Sequence, residues 1–183
     1  MKIISGILKG RRIEVGKKLK YRPTLSRIRE DIFNILAHNP NIKIKVNNSS
    51  FADICCGSGS IGIEALSRGF KHCHFNDVDN EQIKKISLFL KKYSNLSYSL
   101  TDVDLVTEIN EIPWINFDII YFDPPYEIKL ESIILQHIKK FKDHSIVITE
   151  SDHEIFKGVK SIYGKKYKNK FIQFYNVNEL KKF

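Results

Sequence analysis

The most chemically specific residues of this sequence are Asp123-Pro124-Pro125-Tyr126, which follow directly on the apolar run Phe117 to Phe122. Two prolines stiffen the backbone just beyond a strand of buried composition, and neither carries an N–H. A turn that only ends a strand needs neither a carboxylate before the prolines nor an aromatic ring after them. The cluster suits methylation of an exocyclic amine on a nucleobase. Such an amine is a poor nucleophile because its lone pair is delocalised into the ring. An ionised Asp123 and the carbonyl of Pro124 can only accept hydrogen bonds, so together they can take both N–H groups and aim the nitrogen at a methyl donor. Asp123 then stabilises the positive charge that builds on that nitrogen. Tyr126 offers a stacking platform for a base that is unpaired or flipped out. Asp123, Pro124 and Tyr126 are therefore the expected catalytic residues.

A second group supplies the expected donor site. The apolar run 51 to 55 leads into Cys56-Gly57-Ser58-Gly59-Ser60-Ile61-Gly62, so Gly57, Gly59 and Gly62 match G-x-G-x-x-G at a switch from strand to helix. Asp77 completes the fingerprint, 20 residues beyond Gly57 at the end of the next expected strand, where a carboxylate accepts ribose hydroxyls. NAD and S-adenosyl-L-methionine (SAM) both carry an adenosine ribose, so neighbouring charges must choose between them. Asp53, in the first strand, is expected to face the zwitterionic tail of SAM, and it would repel a dinucleotide pyrophosphate. Asp102 follows the third expected strand, near where an adenine amino group needs an acceptor, and a helix cap is its other reading. The expected cofactor residues are Asp53, Gly57, Ser58, Gly59, Asp77 and Asp102.

Elements that could position these groups are legible in the hydrophobic pattern. Short apolar runs at 51 to 55, 72 to 76, 96 to 100, 117 to 122 and 145 to 149 alternate with amphipathic segments at 60 to 69, 79 to 93 and 129 to 141. Such alternation predicts a parallel α/β sheet. Residues 158 to 177 read as a closing hairpin. The first fifteen residues alternate weakly around Gly6 and Gly10 and predict a hairpin bearing Lys9, Arg11 and Arg12. A helix follows, with Thr24 as its expected N-cap and Ile28, Ile32, Phe33, Ile35 and Leu36 as its apolar stripe.

Composition narrows the partners. With 42% hydrophobic and 28% charged residues the chain is neither a disordered tail nor a disulfide-stapled scaffold. Its longest apolar runs fall far short of the roughly 18 residues of a membrane span, and Met1 to Gly6 lacks a signal-peptide pattern. A cytoplasmic protein, with no membrane partner, is expected. Cys55 and Cys56 are adjacent, in no zinc spacing, and the six histidines are scattered, so no metal site is expected. The net charge of +9 is segregated. Residues 1 to 30 hold ten Lys or Arg against Glu14 and Glu30, and residues 157 to 183 hold eight Lys against Glu179, while the stretch between is acidic on balance. A run such as Lys165 to Lys170 serves equally well as a solvated face. Two concentrated basic ends point to nucleic acid.

These residues resemble a known family. Asp53-Ile-Cys-Cys-Gly57-Ser58-Gly59, Glu64-Ala65-Leu66-Ser67-Arg68-Gly69, Asp77 and Asp123-Pro-Pro-Tyr126 are similar to the motifs of class I SAM-dependent amino methyltransferases. Ile3-Ile4-Ser5-Gly6, Lys9-Gly10-Arg11, Arg22-Pro23-Thr24 and Arg27-x-Arg29-Glu30-x-x-Phe33-Asn34 resemble, more narrowly, the bacterial 16S rRNA guanine-N2 methyltransferases of the RsmD type. The resemblance spans nearly the whole chain. It implies an α/β, Rossmann-like fold with a mostly parallel seven-stranded sheet, helices on both faces and an N-terminal β-hairpin extension. One methyltransferase domain would span 1 to 183, with residues 1 to 24 as the extension and 25 to 183 as the catalytic core. SAM would be the donor, S-adenosyl-L-homocysteine the product, and the 16S rRNA of a 30S particle the partner of a monomeric enzyme. Arg22, Arg27 and Arg29 would lie near RNA, as would Lys9, Arg11 and Arg12.

The sequence departs from the family pattern at three places. Cys55-Cys56 replaces Phe-Ala, Ser26 replaces a common Asp, and Tyr167-Lys168-Asn169-Lys170 lacks a glycine after the tyrosine. The last leaves the role of the C-terminal hairpin open. The cysteines precede the glycine loop rather than the base site, which argues against cysteine-assisted methylation of a ring carbon. Three other functions stay in view. An adenine-N6 methyltransferase would use the same amine motif, a non-catalytic RNA-binding assembly factor could keep the fold, and an NAD-dependent oxidoreductase would share the glycines.

Overall fold

The apolar runs form one seven-stranded sheet because each is flanked by a segment that can cover it. The strands are β1 (Ser50–Ile54), β2 (His72–Asn76), β3 (Tyr98–Thr101), β4 (Ile119–Phe122), β5 (Ile146–Ser151), β6 (Tyr163–Tyr167) and β7 (Lys170–Asn176), in the spatial order β3-β2-β1-β4-β5-β7-β6. The first five run parallel, and β7 pairs antiparallel with both β5 and β6. The computed structural model describes residues 1 to 13, 23 to 125 and 127 to 183, with residues 23 to 25 as backbone only. Among these, no helix is long and apolar enough to cross a membrane.

Helices α1 (Pro23–His38), α2 (Ser60–Ser67), α3 (Asn80–Leu90), α4 (Leu130–His137) and α5 (Val177–Leu180) divide between the two faces. Alternate residues of β1 and β4 show the division. Phe51, Ile119 and Tyr121 join a core with Ile32 and Phe33 of α1, Leu66 of α2 and Ile86 of α3. Ala52, Ile120 and Phe122 join a core with Trp114, Ile134 of α4 and Leu180 of α5. Strands covered on both faces carry no polar alternation, and all residues of β4 and β5 are buried.

The strand order reverses at β1, whose neighbours β2 and β4 belong to opposite halves of the winding. Open sheets of this type bind ligands outside the carboxyl ends of the strands at that reversal. The glycine loop follows β1 and the Asp-Pro-Pro segment follows β4. Both predicted motifs therefore follow strands that adjoin at that reversal.

Among the described residues, the N-terminal hairpin pairs Lys2 with Arg12, and backbone hydrogen bonds join Ile3 to Arg11 and Met1 to Ile13. It docks on α2. Gly6 has φ of 81° and lies so close to the helix that a Cβ there would fall 1.7 Å from the Ser67 carbonyl oxygen. Ile7 donates its N–H to that oxygen at 2.8 Å, and the amides of Ile4 and Ser5 donate to the buried Glu64 carboxylate at 2.8 and 2.9 Å. Arg29 is corrected here. Its guanidinium lies 3.5 Å from Glu64 and donates to the Lys2 carbonyl at 2.7 Å, and its side chain is 1% exposed. A cation buried this fully bolts α1 to the N-terminal segment and does not reach RNA. Thr24 is corrected too, since α1 begins at Pro23, the first-turn position that proline favours.

Candidate active site

The glycine loop is built by three separate constraints. Gly59 caps α2 in a left-handed conformation with φ of 68°, and a Cβ there would strike the Ile86 side chain at 2.7 Å. Gly62 packs α2 onto β2, where a Cβ would come within 2.3 Å of the Phe75 ring. Gly57, with φ of 51°, has nothing within 4 Å of a notional Cβ, so its backbone faces open space. Its N–H donates to Asp77 at 2.6 Å, and the other Asp77 oxygen accepts from Asp79 N–H at 2.9 Å. The carboxylate at the tip of β2 is thus oriented by the loop from β1.

A cavity of about 380 Å³ opens beside this pair. Asp77 and Asp123 stand in its wall with Pro124 and Pro125, and Val78, Val103, Leu105 and Val106 give it an apolar side. The wall contains residues that the motifs did not single out: Cys55, Asn76, Asp104 and Ile128. Most follow directly on the ends of β1, β2 and β4 or the loop after β3, the positions that an α/β crevice uses. Asp104 accepts from Val106 N–H at 2.6 Å and Thr107 N–H at 3.0 Å, which holds its carboxyl below the usual range. It therefore presents a negative charge to the cavity.

Several expected residues are placed differently. Asp53 is 1% exposed, outside this wall, and its carboxylate accepts from Gly62 N–H at 2.8 Å. Burial, opposed by the Gly62 bond and helped by the Asp77 charge, pushes it up to about 8. The residue braces α2 from beneath and is mostly protonated at neutral pH, rather than facing a ligand as an anion. Asp102 is exposed and bonded to Asn80 at 2.5 Å, outside the wall. Gly57, Ser58 and Gly59 also lie outside it. Cys55 lines the cavity, and burial and the charges of Asp77, Asp123, Asp53 and Asp104 push its thiol up to about 12. A thiol so held is not a nucleophile.

Asp123 is positioned by its own N–H, which donates to the Ile54 carbonyl at 3.3 Å and ties the segment to β1. About a third of its side chain, 35%, is exposed. Burial and the nearby Glu150 carboxylate raise it well above the usual carboxylate range, while Lys170 at 4.0 Å opposes them. On the far side of the prolines lies a second cavity of about 220 Å³, bounded by Pro124, Pro125 and Ile128 together with Glu131, Glu150 and His153. Pro124 and Pro125 therefore partition two recesses. Tyr126 and Arg22 lie outside the described residues.

Lys9, Arg11, Arg12 and Arg27 are exposed. Arg12 also lines a cleft of about 350 Å³ with Ser58 of the glycine loop and, from α3 and the turn after it, Lys85, Phe89 and Lys92. Among the described residues, its wall holds three cations and no carboxylate. Among the described residues, no cluster of three or more His, Cys, Asp or Glu side chains is arranged to hold a metal ion.

Comparison with known proteins agrees with this architecture. Residues 1–176 match the family model described as conserved hypothetical protein 95. The ribosomal RNA small subunit methyltransferase D of Buchnera aphidicola subsp. Baizongia pistaciae is 32% identical over 165 residues, covering 86% of this chain and 79% of its own. The Bacillus subtilis protein YlbH, provisionally named an rRNA methyltransferase, is 30% identical over 161 residues, covering 85% of this chain and 84% of its own. The solved Escherichia coli protein yhhF superposes with a TM-score of 0.75 at 22% identity, over 96% of this chain and 97% of that one.

Proposed function

The chain belongs to the family described as conserved hypothetical protein 95, the RsmD-type rRNA methyltransferases, and we propose that it methylates the exocyclic N2 amine of a guanine in the 16S rRNA of a 30S particle. SAM supplies the methyl group as an activated sulfonium. The chemistry of the larger cavity suits it. Asp77 can accept from ribose hydroxyls, the apolar wall of Val78, Val103 and Leu105 can take an adenine, and Asp104 favours a cation. Asp53 supports the loop from below, and the backbone of Gly57 leaves room for close approach.

The observation that carries the reading is the partition. A base entering the smaller recess along Pro124 and Pro125 brings its amine to Asp123, which faces the larger one. Asp123 and the Pro124 carbonyl accept the amine's two N–H groups and hold the nitrogen in line with the donor. As the new bond forms, the Asp123 carboxylate stabilises the charge on nitrogen and takes the proton that leaves. Tyr126 stacks on the base. Outside the pocket, the cleft of Arg12, Lys85 and Lys92 receives the phosphate backbone, and Lys9, Arg11 and Arg27 extend the basic surface. Arg22 adds a further phosphate contact.

The test is transfer of tritiated methyl from SAM to small subunits from a strain lacking this protein, followed by nucleoside analysis. N2-methylguanine is the expected product. N6-methyladenine in its place would redirect the same chemistry to another base, and no methylated nucleoside would overturn the proposal.

A further inference from the structure

The C-terminal hairpin, turning at Tyr167-Lys168-Asn169-Lys170, has no purpose that its sequence reveals, and the sheet register supplies one. Strands β6 and β7 are joined by the two residues Lys168 and Asn169, with Tyr167 paired to Lys170 and Lys168 at φ of 51°. A left-handed residue in a two-residue loop matches the twist of a tight hairpin and fixes the register of β7. On β7, Ile172 pairs with Glu150 of β5. Lys170 is two residues earlier and so shares the sheet face of Glu150, on the diagonal that long side chains span. Tyr121 of β4 pairs with Ile148, two residues before Glu150, and with Asp53 of β1. One face of the sheet thus carries Asp53, Tyr121, Glu150 and Lys170 in a row across four strands, with Asp123 at its edge.

These side chains form a connected network. The Tyr121 hydroxyl donates to Glu150 Oε2 at 2.6 Å, Lys170 Nζ donates to Glu150 Oε1, and the same ammonium stands 4.0 Å from Asp123 Oδ1. Glu150 is 1% exposed and Lys170 is 20% exposed, so solvent screens the network weakly. The charged and titratable groups that act on or lie against Asp123 are Glu150, Lys170 and Asp53, with the Cys55 thiol and the Tyr121 phenol nearby. Among the described residues, Lys170 is the cation of that set.

We infer that Lys170 is a positioning residue for the methyl transfer proposed above: its ammonium, anchored on Glu150, draws the Asp123 carboxyl towards its ionised form and turns it to accept the incoming amine. During transfer the amine nitrogen forms its bond to the methyl carbon, the sulfur–carbon electron pair stays on sulfur as a neutral thioether, and the nitrogen sheds one proton to Asp123. A protonated Asp123 would accept the amine more weakly and could not take up its proton. Lys170 opposes that protonation, which burial and Glu150 both favour.

The inference rests on the proposed reaction, so its test reads Asp123 directly as well as through catalysis. Carbon-13 NMR of aspartate carboxyls, with Asp123 assigned by its loss in Asp123→Ala, follows its titration in the free protein. The pH profile of methyl transfer follows its effect on rate. Lys170→Met is expected to raise the Asp123 midpoint, and the acid limb of the profile with it, by about one to three pH units. Lys170→Arg should restore both. Glu150→Gln removes the opposing charge and should lower both, which keeps the test decisive if Lys170→Met does not fold. An Asp123 midpoint unchanged in folded Lys170→Met, or unchanged in Glu150→Gln, overturns the inference. A midpoint that moves as expected in a protein that methylates no guanine supports the pairing and counts against the reaction instead.

Discussion

The Arg29 guanidinium and the Glu64 carboxylate, both 1% exposed, face each other across 3.5 Å and join α1, α2 and the N-terminal segment. Glu64 also accepts from Arg68 at 2.9 Å and from two backbone amides, so two cations and two N–H donors converge on one buried acid. Removing Arg29 leaves Glu64 with Arg68 and the two amides, but it takes one cation from the buried acid and the guanidinium donor from the Lys2 carbonyl.

Arg29→Met is therefore expected to destabilise the fold by about 1 to 3 kcal/mol in urea denaturation. Arg27→Ala, at an exposed site, should change stability by no more than about 0.5 kcal/mol while weakening RNA binding. Equal stability losses in the two variants would refute this division of roles.

The cleft beside the glycine loop makes a separate prediction. Lys85→Glu combined with Lys92→Glu should lower RNA affinity and flatten its salt dependence by about two in the log–log slope, since each phosphate contact contributes about one. SAM affinity, measured by calorimetry, should stay within about twofold. Loss of both ligands in parallel would contradict the placement of RNA there.

Asp53 gives a pH prediction with a definite sign. Folded Asp53 keeps its proton up to about 8, whereas the ordinary value is 3.8. Between those limits the folded state binds more protons than the unfolded one, so stability falls as pH rises. Relative to Asp53→Asn, whose side chain still accepts from Gly62, the wild type should lose on the order of 1 kcal/mol per pH unit from about pH 4 to about pH 8 and level off above. Denaturation curves at pH 5 and pH 8 with a constant difference between the two proteins would contradict it.

Gly62→Ala should destabilise by about 1 to 3 kcal/mol, because the new methyl must displace the Phe75 ring and the Cys73 sulfur, which lie within 2.3 and 2.8 Å of its position. Thermal unfolding checks this. A neutral result would show that α2 can move off β2 freely.

Local chemistry made much of this molecule legible in advance. The alternation of apolar runs and amphipathic segments specified the parallel sheet, and both loop motifs followed their strands as expected because residues adjacent in sequence set them. What escaped was pairing across distance. Arg29 reads as a surface cation until Glu64, thirty-five positions away, is seen to receive it. Asp53 reads as an anion until its burial is known. Cys55 and Asp104 enter the cavity wall through the positions of their strand ends, which element counting alone does not rank. Glu150 and Lys170 look like ordinary charges on a strand and a turn, and only the antiparallel register of β5, β7 and β6 brings them to Asp123.

The most direct measurement of the central claim is the single-turnover rate of methyl transfer by Asp123→Ala at saturating SAM, with SAM affinity measured alongside. Loss of about a hundredfold or more in rate, with SAM affinity within about twofold of wild type, is the predicted result. An undiminished rate would show that the carboxylate beside the two prolines does not hold the reacting amine.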